Sequence, residues 1–168
     1  MPQVAFNTPR PLLSRHSIAA CRCRTDRQQA HLDFLGVDAE SPRRTREGVY
    51  ASHIIQGPRG ASAKLLLLDV RTHRDPWPSR PNGVAAEDGD ILGETQWRWL
   101  EEELNSTADV HMIMSGFQVE SNAALGLVVP SSFGESWQKF PNARRRLMDM
   151  VSSTYHMYAL KKTNYILV

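Results

Sequence analysis

At 168 residues the chain is long enough for one domain, and 41% hydrophobic residues can fill a core. Its net charge of +2 is uneven: residues 1–25 hold Arg10, Arg15, Arg22 and Arg24 and no acid, leaving 16 basic against 18 acidic residues from Asp26 onward. That balance excludes a binder of nucleic acid that works by clustered basic charge, and no apolar run has the length of a membrane-spanning helix.

Residues 1–25 read as a basic, disordered leader. Arg and Ser without acids also permit an organelle transit peptide, whereas Ile18–Cys21 is too short an apolar run for a secretory signal, so the compartment stays open. Cys21 and Cys23 are too close for the usual zinc spacing and have no second pair, which makes them exposed thiols. Ala30 and Phe34 share one face of a short helix expected over Asp26–Leu35, with Gly36 as its stop. Ser41-Pro42 breaks regular structure. Arg43, Arg44 and Arg46 then read as a solvated turn, with an anion-facing cluster as the alternative. Val49–Ile55 has strand character and carries His53, and Gly57–Gly60 turns the chain back.

The centre is Lys64–Gly116. Leu65–Leu68 is a continuous apolar run that suits a strand buried on both faces. Gly93 is a fair N-cap, Glu94 follows in the first turn, and Trp97, Leu100 and Leu104 recur at helical spacing. Val110–Met114 is a second inner strand, so the unit reads as βαβ with parallel strands. Asp69, Arg71, His73, Arg74 and Asp75 leave the C-terminal end of the first strand, where open α/β sheets bind ligands. There Arg71 can grip two phosphate oxygens, with His73 as a further donor. Alternatively, Asp69 pairs with Arg71 or caps backbone groups of the loop. Asp69, His73 and Asp75 also offer metal-type oxygens and nitrogen. Pro76–Gly89 is a Pro/Gly-rich surface flap in which Trp77 is placed to line a pocket mouth or to pack beneath the loop. Pro141 at a first helical position, with Ala143, Leu147, Met150 and Val151 on one face, predicts a helix to about Ser152.

Several blocks, in order, resemble the PhoD-type alkaline phosphatase family of the metallophosphoesterase superfamily. They are FLGVDAESPRRTREGVY, LLLLDVRTHRDP, DGDILGETQWRWLEEEL, ADVHMIMSGFQV and ESWQKFPNARRRLMDMV, running from about Gln28 to Val151. The resemblance implies an α/β fold, part of the metallophosphoesterase α/β/β/α sandwich, and a phosphatase or phosphodiesterase of phosphoric esters. It also implies two metal ions, iron and calcium, in the intact family, and a phosphate or phosphate-ester ligand. Arg71, His73 and Arg74 become candidate substrate contacts. Asp69, Asp75, Ser115 and Gln118 become candidate supporting groups, because the resemblance brings the end of the second strand near the active site.

The family's metal-binding words have no match. Asp109-Val110-His111 is similar to the superfamily's Gly-Asp-Val-His word but starts a strand rather than ending one, and Ala108 replaces the glycine. His156, in the divergent tail 154–168, has no acidic neighbour. No metal ligand or catalytic residue is therefore expected. Residues 26–153 read as an internal portion of the catalytic domain, incomplete or inactive, or as a non-catalytic phosphate-binding or regulatory remnant. With part of the family's sheet cover missing, low solubility is expected as well.

Overall fold

The computed structural model describes residues 15–76, 86–119, 136–158 and 164–167, with backbone alone for 15–23, 154–158 and 164–167. Trp77, the flap tip and Cys21 and Cys23 as side chains lie outside the described residues. The chain divides into two compact units, Met1–Glu47 and Gly48–Val168.

In the first unit, helix α1 runs over Arg15–Phe34, so the helix expected from Asp26 begins well inside the stretch read as leader. Its stop is Gly36, at φ 63°, where Val37 N–H bonds Leu32 O and Gly36 N–H bonds Asp33 O. A left-handed residue with that bond pair closes the last turn and satisfies its carbonyls. The arginine turn is a short 3₁₀ helix, Pro42–Arg44, capped by Ser41 Oγ accepting from Arg43 N. Gln28 Nε2 donates to the carbonyls of Arg43 and Arg46, and Gln29 Nε2 to that of Arg44. Arg44 itself reaches Asp33, Gln29 and the Val37 carbonyl. Arg44 is thus used to fasten the turn to α1.

The second unit is built on four strands: β1 Ala51–Gln56, β2 Ser62–Leu67, β3 Val110–Met114 and β4 Asn164–Leu167, in that spatial order. β1 and β2 form an antiparallel hairpin from Ala51↔Leu67 to Gln56↔Ser62. β2 and β3 are parallel, Ala63↔Val110 to Leu67↔Met114, and helix α2, Glu94–Leu104, lies between them in the chain. This is the expected βαβ unit. β4 pairs parallel with β3 inside the stretch read as a divergent tail. Helix α3 spans Pro141–Tyr158, longer than its apolar face predicts.

One layer of core joins the sheet to α2, α3 and the segment around Trp137. Leu66, Ile91, Leu92, Trp97, Leu100, Leu104, Trp137, Phe140 and Leu147 are fully buried. The expectation of a strand buried on both faces is corrected here. Leu66 and Ile113 are buried, but Leu65, Leu67 and Met112, which alternate to the other face, are only half-buried and Met114 is exposed. Ile54 and Ile55 on the outer strand β1 are exposed as well. Four leucines in a row say that a strand is apolar, not that both of its sides are covered.

Candidate phosphate-binding loop

The loop that leaves β2 turns around Asp69. This side chain is buried, and burial alone would raise its pKa. Four donors outweigh that: the Thr72 hydroxyl, and the backbone N–H groups of Val49 (2.9 Å), Arg71 (2.9 Å) and Thr72 (3.0 Å). They hold the carboxyl below its ordinary value. Capping of the loop backbone, one of the two readings of Asp69, describes this geometry.

The backbone of Asp69 is held from the helix side. Its N–H donates to Gln96 Oε1 and its carbonyl accepts from Gln96 Nε2, both at 2.8 Å. Gln96 is fully buried and also donates to the Leu92 carbonyl. It stands in the row Gln96, Leu100, Leu104, four residues apart. A polar side chain in a buried row must find partners. That is the signal by which the sequence could have singled it out.

Asp75 closes the other end of the loop. Its N–H donates to Asp90 O (2.9 Å), and its Oδ2 accepts from Asp90 N (2.7 Å), so the flap between them is pinched at its base. Asp90 then supports the start of α2, whose N-cap is Gly93 as expected. Gly93 occupies the N-cap position without a side chain to use, while Asp90 accepts from Gly93 N, Ile91 N and Trp97 Nε1, each at 2.8 Å. Gly93 is required for a different reason. Its φ is 74°, and a Cβ there would stand 2.9 Å from the Cβ and Cγ of His73. The absent side chain lets His73 lie directly against the start of α2.

The two arginines converge on Phe117, just beyond β3. Arg71 Cζ lies 5.0 Å and Arg74 Cζ 5.8 Å from the centroid of that buried ring. Each contact favours the cation, by about 0.5–1 kcal/mol at partly exposed sites. Two like charges on one ring repel each other, and a bound anion relieves that repulsion. Arg71 is exposed, whereas Arg74 and His73 are half-buried. Phe117, Asp90 and Gln96 are the members of this arrangement that sequence reasoning did not name.

Ser115 and Gln118 serve the strand end. Ser115 Oγ accepts from Trp137 Nε1 (2.9 Å) and from Phe117 N (3.3 Å). Gln118 is exposed, and its backbone bridges Ser136, with its carbonyl accepting from Trp137 N (3.0 Å). Trp137 in turn meets Trp97 edge-on, centroids 6.1 Å apart. Both residues therefore steady the segment that carries Phe117.

The family model for PhoD-like phosphatase matches residues 18–157. The chain belongs to the PhoD-like phosphatase family. The match reaches further at both ends than the blocks read from sequence. A solved PhoD structure superposes with a TM-score of 0.50 at 20% identity, over 78% of this chain and 26% of that one. This supports the partial α/β fold, and the chain spans about a quarter of the length of the PhoD structure it resembles. No curated protein matches it.

The family's chemistry is metal-dependent. Among the described residues, no three His, Cys, Asp or Glu side chains gather as a metal-holding group. Asp69 already accepts four hydrogen bonds, and one oxygen of Asp75 is taken by Asp90 N. Asp109, the first residue of the metal-like word, accepts from Ser62 N and Ser62 Oγ at the start of β2, and His111 is fully buried. These side chains do not fit a two-metal site.

Proposed function

We propose that this chain is a phosphate-facing portion of a PhoD-like phosphatase that binds phosphate or a phosphate ester through Arg71, Arg74 and His73 without hydrolysing it unaided. The observation that carries the reading is the pair of guanidiniums on the Phe117 ring beside the C-terminal end of a parallel strand pair. A guanidinium presents a planar fork of donors that matches phosphate oxygens, and the ends of parallel strands are where α/β folds place ligands. In this role Asp69 and Gln96 hold the loop backbone, Asp75 and Asp90 fix its far end, and His73 adds a donor beside Arg71 and Arg74. The intact family's ions, iron and calcium by resemblance, would take their ligands from elsewhere. The non-catalytic reading is favoured by Asp69, whose carboxylate is committed to loop donors.

The test is hydrolysis of an aryl phosphate by the purified chain, with and without iron and calcium. The expected result is no turnover above the blank in either condition. Metal-dependent turnover that a chelator abolishes would contradict the proposal, and a His73→Ala, His111→Ala double variant would then show whether those side chains supply the ligands.

A further inference from the structure

At the far end of α2 lies a buried polar cluster with no part in the phosphate loop. Lys64 on β2 is buried; its Nζ pairs with Glu103 Oε2 and donates to Ser106 Oγ at 2.6 Å. Glu103 Oε1 accepts from Ser52 Oγ on β1 at 3.0 Å. His111 is the register partner of Lys64 on β3 and is fully buried. Both of its ring nitrogens are buried, and the ring interacts with Glu103, in the last turn of α2. The other histidines whose side chains are described, His31, His53 and His73, are exposed or half-buried.

We infer that His111 is an acid-sensitive latch that fastens the C-terminal turn of α2 to strands β2 and β3 while its imidazole is neutral. Lys64 is the charged group facing it from β2, and Glu103 is the one facing it from α2. Ser52 and Ser106 are neutral, and the register partner of His111 on β4 is Tyr165. The carboxylate of Glu103 is already engaged by Lys64 and Ser52, so it has little left to offer a second cation. Protonating His111 therefore adds a positive charge in a dry site next to an ammonium. Desolvation first, and the Lys64 charge second, depress its pKa below the ordinary 6.5 against the smaller opposing pull of Glu103. The sign follows. For a base whose folded pKa is depressed, the stability is complete above the unfolded pKa and is lost as pH falls below it. The latch holds at neutral pH and releases in acid.

The experiment is amide hydrogen exchange on the full chain from neutral pH down to about pH 5, corrected for intrinsic exchange, alongside NMR titration of the His111 ring. In the wild type, opening at residues 100–104 and 111–113 should rise by up to about tenfold per pH unit as pH falls from the ordinary 6.5 toward the lower folded value, and level off below it, as expected for one proton taken up on opening. The ring should titrate below the ordinary histidine value of 6.5. His111→Gln, neutral throughout, should abolish the slope. A flat wild-type profile, an equal slope in the variant, or a ring that titrates at or above the ordinary 6.5 would each overturn the inference. If the variant does not fold, the wild-type profile and ring titration decide alone.

Discussion

At its N-terminal end α2 meets a loop whose polar groups are spent on holding backbone, so that Arg71 is left exposed and Arg71 and Arg74 share one ring. At its C-terminal end the same helix meets a lysine and a glutamate that are satisfied by one another and by two serines, beside a buried histidine. Both ends put charge beside the ends of α2. They differ in access to water, and access decides the role. In the proposed role the arginines at the strand mouth answer to a ligand, while the buried Lys64 answers to its partner Glu103.

The largest effect should come from the C-terminal end. Glu103→Ala leaves the Lys64 ammonium buried without its carboxylate, which costs about 4 kcal/mol. Denaturant unfolding would read that loss, and the response to phosphate should persist in whatever fraction stays folded. Next is Gln96→Leu at the other end. It keeps the volume but strands the N–H and carbonyl of Asp69, a loss of about 3 kcal/mol. Here phosphate binding should weaken together with stability, since the loop loses its anchor. A Gln96 variant that loses stability yet keeps full phosphate affinity would break the division between the two ends.

Asp69→Asn is smaller, about 2 kcal/mol, because shape and two acceptor bonds survive while charge assistance goes. It also has a pH signature. The folded pKa of Asp69 is depressed from 3.8, so its contribution is complete above that value and is lost as pH falls through the lower folded value. Wild type should therefore lose more stability than the Asn variant between roughly pH 4 and pH 2. Smallest is Gly93→Ala, about 1–2 kcal/mol, from a side chain forced to positive φ and onto His73. Thermal melts would show it.

The sequence made the middle of this molecule readable because its signals are local. Trp97, Leu100 and Leu104 announce α2 by spacing, and the apolar runs on either side announce β2 and β3. What it left unread depends on pairs distant along the chain. Asp90 and Trp97, Ser115 and Trp137, and Gln96 and Asp69 are joined by bonds that no periodicity encodes. β4 was missed because a four-residue strand is defined by its partner, here β3, more than by its own composition. The overestimate at Leu65–Leu68 has the same root, since cover belongs to neighbours. Of the site, the arginines and His73 were legible as chemistry at a strand end. Phe117, which brings the arginines together, was not.

The central claim is that Arg71 and Arg74 form a phosphate site. It is tested most directly by the thermal midpoint of the purified chain at increasing inorganic phosphate, compared with sulfate-free controls at matched ionic strength and with Arg71→Ala and Arg74→Ala variants. A ligand that binds only the folded state adds about 1.4 kcal/mol at tenfold excess over Kd. The wild-type midpoint should therefore climb steadily with phosphate, and each arginine variant should flatten the rise while leaving the phosphate-free midpoint near its wild-type value. A wild-type midpoint that does not move at millimolar phosphate, or one that moves equally in the variants, would contradict the account.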